Sequence, residues 1–213
     1  MIEIVGAAEP DAIDRAARAL ERGEVIAIPT ETIYGLAVLP RPASLERLLV
    51  AKNRSADKGI QLLVDSVAKA AQLAVLPPAA EQLAAAFWPG GLTLIVERRP
   101  AVDLPLLLGG GRPTLGVRLP DHALPRALAR RLGPLAASSA NVSGRPPATT
   151  VQMVVESLAD VVSLVIDDGP VGGGVPSTVV DCTSATGAPV ILRAGAIPVA
   201  DILAALGQDY TAD

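Results

Sequence analysis

With 213 residues, one cysteine and 2% aromatic side chains, the chain suits one compact domain with a core of Ala, Leu, Val and Ile, and it cannot form an internal disulfide or a cysteine-rich zinc site. A formal net charge of −4 and a pI near 5.1 argue against bulk electrostatic binding to nucleic acid, while leaving room for a local basic pocket. The opening MIEIVGAAEPD lacks both a basic and a long apolar stretch, and no run of about 18 apolar residues occurs, so a soluble, cytoplasmic protein is expected.

In chain order, helical period covers 10–22, with Asp11 as its capping signal. EVIAIPT (24–30) reads as a strand that ends in a polar edge, Thr-Glu-Thr-x-Tyr-Gly. A helix follows at 43–52 with Ser44 as cap, then the strand GIQLLVD (59–65), helices at 66–75 and 79–87, and the strand LTLIVER (92–98). LPLLLGGGRPT (104–114) is a glycine-rich loop candidate before the strand LGVRLP (115–120) and helices at 121–132 and 148–159, the latter capped at Thr149-Thr150. SLVIDDG (163–169), STVVDCT (177–183) and PVILRAG (189–195) read as strands, and 198–206 as a last helix. Alternating elements mean an α/β protein, and the short turn SATGA between the last two strands suggests a hairpin. The expected fold is therefore a single α/β domain, a twisted mixed parallel/antiparallel sheet with flanking helices, over residues 1–213 with its core at about 10–200 and no C-terminal second domain.

Polar residues gather where the strands end. They are Thr30, Thr32 and Tyr34; Lys52, Arg54 and Lys58; Thr114 and Arg118; Ser138, Ser139, Asn141 and Ser143; Ser177 and Thr178; and Arg193. Ligands of open α/β sheets bind beside strand ends, and five cations among hydroxyls imply an anion pocket, with phosphate as the natural guest. Neither G-x-x-x-x-G-K-[ST] nor G-x-G-x-x-G is present, so side-chain cations would have to hold a nucleotide's phosphates. Each motif taken singly has a plainer reading as a strand end, a helix terminus or a turn. Arg118 and Arg193 are harder to dismiss, because they interrupt apolar runs, and a buried arginine needs an anionic partner. His122 reads as a capping or surface residue, Cys182 as a buried strand residue, Asp167-Asp168 as a strand-ending turn more than a metal pair, and Trp88 as packing at a helix end.

PTETIYGLAV, AKNRSADKG, FWPGGLTLIV, LGVRLPDH, SSANVSG, GGGVPSTVVD and ILRAGAI follow in order the signature of the YrdC-like domain of threonylcarbamoyl-AMP synthases, and the resemblance spans roughly residues 10–200. It implies a concave basic cavity and a reaction joining L-threonine, bicarbonate and ATP into threonylcarbamoyl-adenylate and pyrophosphate. The product would pass to a separate tRNA threonylcarbamoyltransferase complex that modifies adenosine 37. By the same resemblance, Lys52, Arg54, Ser139 and Asn141 are the catalytic Lys-x-Arg and Ser-x-Asn pairs. Arg54, Lys58, Thr114, Ser139, Asn141 and Arg193 would bind ATP. Thr32, Arg118, Ala137 and Ser177 would bind threonine, with Arg118 on its carboxylate, and Thr30, Tyr34 and Thr178 would form a supporting wall. Mg2+ would arrive on the ATP phosphates and not on a protein metal site. Ser55, Gly59 and Gly91 stand where such proteins usually have proline, and ASSAN replaces the commoner PSAN, which alters loop stiffness and leaves the charged and hydroxyl groups in place. Competing readings are a same-fold paralogue without synthase activity, a tRNA or double-stranded-RNA binder, and a carbamoyl-transfer domain of hydrogenase maturation. The low pI and scarce aromatics oppose the second, and the length opposes the third.

Overall fold

The computed structural model describes residues 2–184 and 188–207. The chain opens with β1 (Glu3–Gly6), α1 (Ala12–Glu21), β2 (Ile26–Ile28), β3 (Gly35–Val38), α2 (Pro42–Lys52) and β4 (Gln61–Leu63). It continues through α3 (Val67–Leu73), β5 (Ala74–Val75), α4 (Pro78–Phe87), β6 (Leu92–Arg98), a 3-10 turn at Leu106–Gly109, β7 (Thr114–Arg118) and α5 (Ala123–Leu132). It closes with β8 (Leu135–Ser139), α6 (Val151–Leu158), β9 (Leu164–Asp167), β10 (Thr178–Asp181), β11 (Val190–Arg193) and α7 (Val199–Ala205).

All strands join one sheet in the order β1-β9-β2-β3-β8-β4-β7-β6-β10-β11, with β5 paired to β6. It is mixed: β1–β9, β2–β9, β4–β7 and β6–β10 run parallel, and the other pairs are antiparallel. β10 and β11 pair as the expected hairpin, whose turn residues 185–187 lie outside the described residues. Among the described residues no helix is long and apolar enough to cross a membrane.

The expected helices and strands appear within a few residues of their sequence positions. β1, β3, β5 and β8 have no counterpart in that reading. Their sequences, EIVG, GLAV, AV and LAASS, are two to five residues long, too short to show a strand pattern by themselves, and pairing with neighbours holds them. Ser44 is not a cap: Pro42 already occupies the first helical turn, and Ser44 is buried inside α2. Asp11 sits at the α1 cap position without a side-chain capping bond, whereas Thr150 does cap α6, accepting from the Met153 N–H at 3.3 Å. His122 caps α5 through Nδ1, which accepts from the Leu124 N–H at 3.3 Å, and its Nε2 faces Asp168 Oδ2 at 3.1 Å. Trp88 ends α4 and donates its indole N–H to the Leu92 carbonyl at 2.8 Å. Cys182 is buried just past β10, and burial, with Asp181 beside it, pushes its thiol up to about 11.

The two sheet faces are unequally covered. One carries Leu36, Val38, Leu62, Leu94, Val96, Val117 and Val180, in a single core that includes α2, α4, α6 and α7 residues. On the other face, α1 and α5 cover only one half, packing Ala16, Leu20, Leu128 and Ala129 against Ile26, Ile28, Leu63, Ala137 and Ile166. Beyond Leu63 of β4, over β7, β6 and β10, no α-helix among the described residues covers that face, and a concave cavity of about 250 Å³ remains.

Candidate active site

The cavity is built by strand alternation. Gly35; Gln61 and Leu63; Thr93 and Ile95; Thr114, Gly116 and Arg118; Ala137 and Ser139; and Ser177, just before β10, and Val179 alternate along the chain and all line it, with Ser138 at the end of β8 the exception that lines it out of turn. Thr114 and Arg118 are the two ends of β7, Ser139 ends β8 and Ser177 precedes β10, so the polar residues do stand at strand ends, and the pleat turns them onto the face of the sheet. Successive side chains of a strand point to opposite faces, so polar residues in alternate register make a floor on the sheet itself. Gly116 deepens that floor: a Cβ would fit there at ordinary contact distance, 3.6 Å from Gln61 Cα and Thr93 Cγ2, and the glycine leaves that volume to the cavity. Two loops complete the rim, one carrying Arg54 and the other Leu108, Gly109 and Arg112.

Those loops interlock. The Ile60 N–H donates to the Leu108 carbonyl at 2.8 Å, and a Cβ on Gly59 would fall 2.7 Å from the same oxygen. Gly110 adopts φ +65 against Asp57, a conformation that glycine reaches without strain. The glycine-rich segment is thus a wall of the cavity. Gly59 and Gly91, two of the expected departures, sit where a side chain has no room; at Gly91 the obstacle is Ala196 Cβ at 2.7 Å.

Of the residues singled out in the sequence, Thr30, Arg54, Thr114, Arg118, Ala137, Ser138, Ser139, Ser177 and Arg193 line the cavity. Arg54 is half-buried, and it donates to the Lys58 carbonyl at 3.2 Å and the Gly59 carbonyl at 2.9 Å. Burial lowers its pKa. Arg193 lies exposed on the edge strand β11, not buried as its apolar setting suggested, and it donates to the Ser177 carbonyl at 2.6 Å and to Ser177 Oγ at 3.2 Å. Partial desolvation and then the charges of Arg54 and Arg118 lower its pKa. The Thr93 hydroxyl donates to Gln61 Oε1 and lies 2.8 Å from Ser177 Oγ, so Ser177 must donate to Thr93. Arg193, Ser177, Thr93 and Gln61 form one directed polar ribbon across the floor.

Arg118 is 2% exposed and is the largest fully buried side chain. Its Nη2 donates to Glu31 Oε1 at 2.7 Å and to Thr32 Oγ1 at 3.0 Å, and its Nε donates to the Gly90 carbonyl at 3.1 Å. The polar edge after β2 is therefore a clamp. Thr30 Oγ1 accepts from the Ile33 and Thr32 N–H groups, at 3.2 and 3.3 Å, and this turn holds Glu31 and Thr32 against Arg118.

Lys52 is 2% exposed and does not line the cavity. Its ammonium is caged by the Ser139 carbonyl, Ser139 Oγ at 3.2 Å, the Asn141 carbonyl at 2.8 Å and Asn141 Oδ1 at 3.0 Å. Burial, and then the Arg54 charge, lower its pKa from 10.5 to about 8. Ser139 Oγ donates to Asn141 Oδ1 at 2.6 Å, and Asn141 Nδ2 donates to the Arg145 carbonyl. Lys52 and Asn141 thus orient Ser139, the one member of this trio that reaches the cavity.

Thr32 lies behind Arg118, and Lys58 is exposed outside the lining. Tyr34 and Thr178 form no wall, because each is one residue out of register with a lining neighbour, Gly35 or Ser177, and so points to the other face. The Tyr34 hydroxyl donates to the Gly169 carbonyl at 2.8 Å, and Thr178 Oγ1 donates to the Ile197 carbonyl at 2.6 Å. Sequence reasoning missed Glu31, Gln61, Thr93 and Arg112. A signal existed for two of them: Gln61 and Thr93 are polar interruptions of apolar strands. Arg112 sits in an irregular loop, and Glu31 gains its meaning only from a partner 87 residues away.

Arg54, Arg112 and Arg193 have no carboxylate within ion-pair distance among the described residues, in a chain of net charge −4. Three cations facing one cavity call for an anionic guest. No group of three or more His, Cys, Asp and Glu side chains able to hold a metal occurs among the described residues.

A family profile described as telomere recombination, Sua5_yciO_yrdC, matches residues 18–195. A Bacillus subtilis protein named threonylcarbamoyl-AMP synthase is 38% identical over 198 residues, covering 92% of this chain and 56% of the relative. An Idiomarina loihiensis protein of the same name is 36% identical over 182 residues, covering 80% of this chain and 93% of the relative. The structure of Pyrococcus abyssi Sua5 complexed with L-threonine superposes with a TM-score of 0.88 at 36% identity, covering 98% of this chain and 62% of that one. The chain therefore spans a little over half of the longer relatives and nearly all of the shorter one.

Proposed function

The chain belongs to the Sua5/YciO/YrdC family, and from that premise we propose that it is a nucleotidyltransferase making threonylcarbamoyl-adenylate and pyrophosphate from L-threonine, bicarbonate and ATP. The observation that carries the reading is the cavity: Arg54, Arg112 and Arg193, with no carboxylate partner among the described residues, share it with the clamped Arg118 and Ala137, and Ser177, bonded to Arg193, lies between the two groups. Arg118 and Thr114 are opposite ends of β7, four extended residues or about 13 Å apart, enough for an amino acid and a polyphosphate to lie side by side.

Arg118 takes the threonine carboxylate, held in place by Thr32, with Ser177 and Ala137 beside it. Arg54, Arg193, Thr114 and Arg112 take the polyphosphate, and Lys58 closes the mouth from its exposed loop. Ser139, oriented by Lys52 and Asn141, meets the reacting α-phosphate. The threonine ammonium gives a proton to solvent, bicarbonate yields CO2 with loss of hydroxide, and the free amine adds to the CO2 and sheds its second proton, so that water and one proton leave. An oxygen of the resulting carbamate attacks the α-phosphorus in line with departing pyrophosphate. The carbamate is already an anion, so positioning and charge neutralisation suffice without a protein base. MgATP is the substrate form, its cation carried by the phosphates. The adenylate is handed to a separate tRNA threonylcarbamoyltransferase complex in the cytoplasm.

Pyrophosphate release by the purified protein with MgATP, omitting threonine and bicarbonate in turn, tests this. Release that needs both is expected. No release from protein that still binds ATP would overturn it in favour of the inactive-paralogue reading.

A further inference from the structure

The arginines of the cavity differ in charge balance. Arg54, Arg112 and Arg193 face it with no carboxylate partner among the described residues, whereas Arg118 is matched one to one by Glu31 at 2.7 Å. The match is unusual chemically. Among the described residues Glu31 Oε2 is buried with no hydrogen-bond partner, an arrangement that costs free energy. A residue kept there for hydrogen bonding alone would have both oxygens satisfied. What this one supplies is a negative charge beside a buried guanidinium.

We propose that Glu31 is the specificity-determining residue that fits the amino-acid end of the cavity to a zwitterion; the proposal rests on the functional reading above. Glu31 occupies the Nη2 corner of Arg118, and Thr32 shares it. Among the described residues Nη1 has no hydrogen-bond partner, and it is the corner left for a ligand carboxylate. With Arg118 alone, this end would hold any small carboxylate, and would draw a polyphosphate away from the other cations. With Glu31 in place, the charge of Arg118 is balanced. A ligand that brings its own ammonium beside its carboxylate then gains over one that brings a carboxylate alone. Glu31 acts through the field it adds and through the aim it gives Arg118; the buried Oε2 itself need not touch the ligand.

Calorimetric titration with L-threonine and with 2,3-dihydroxybutanoate, which replaces the amine by a hydroxyl, tests the proposal. Wild-type protein is expected to bind threonine about tenfold more tightly than the hydroxy acid. Glu31→Gln is expected to bring that ratio below about threefold while leaving ATP affinity within about twofold, and Glu31→Asp to restore the ratio. An unchanged ratio in Glu31→Gln, or equal binding of both ligands by the wild type, would overturn the role of Glu31. Protein that binds ATP but neither ligand would instead overturn the functional reading. If Glu31→Gln does not fold, as judged by its thermal transition, the wild-type ligand pair and Glu31→Asp decide the question.

Discussion

One face of the sheet carries two regions built by the same rule and used in opposite ways. Over β9, β2 and β3, the alternate residues Ile26, Ile28 and Ile166 meet Ala16, Leu20 and Leu128 of α1 and α5 and form a dry core. Over β4, β7, β6 and β10, the alternate residues are Gln61, Thr93, Arg118 and Ser177, and no α-helix among the described residues covers them. Leu63 and Ala137 belong to both regions, packed under α5 and lining the cavity. Pleat and register are common to the two halves. A helix makes one half a core, and its absence makes the other a site. Residues of the covered half should therefore govern stability, and residues of the bare half activity.

The sharpest test is the residue that joins the two behaviours. Lys52 is buried like a core residue and bonded to Ser139 and Asn141 like a site residue. Lys52→Met should destabilise by about 3 kcal/mol by leaving buried acceptors without a donor, and should also abolish turnover. Denaturant titration and pyrophosphate release measure the two effects; loss of only one would assign Lys52 to a single class. The wild type offers a companion check. The folded pKa of Lys52, about 8, lies below the ordinary 10.5, so the unfolded chain binds the extra proton between these values. Its contribution to stability therefore rises with pH across that window and is absent in Lys52→Met.

Leu128→Ala, on the covered half, should cost about 2–5 kcal/mol in denaturant titration, with turnover per folded molecule unchanged at low temperature. A turnover defect without a stability loss would break the division between the halves. Arg54→Ala, on the bare half, should lower turnover about 100-fold, equivalent to about 2.7 kcal/mol of transition-state stabilisation, with an unchanged thermal midpoint. Relief of the repulsion that Arg54 exerts on Lys52 and Arg193 should, if anything, raise that midpoint.

Much of the site was legible because its residues are chemically conspicuous. Arg118 inside LGVRLP and Ser139 inside SSANVSG are polar interruptions whose type needs no structure to notice. The errors share a cause. Tyr34 and Thr178 were grouped with their neighbours Gly35 and Ser177 by sequence proximity, yet one step along a strand is a change of face. β8 went unread because LAASS has little β-propensity of its own; pairing with β3 and β4 on either side holds it in the sheet.

Sequence alone determined the helices, seven of the strands, the mixed sheet and the cations and hydroxyls available, since periodicity, turn residues and side-chain chemistry are local properties. Only the tertiary structure decided which of those groups share a cavity. That choice depends on strand order and on where α1 and α5 stop covering the sheet, and both arise from pairings between residues far apart in the chain. It is also why Lys52 proves to be caged, why Arg118 meets Glu31 across 87 residues, and why Arg112 joins the site from an irregular loop.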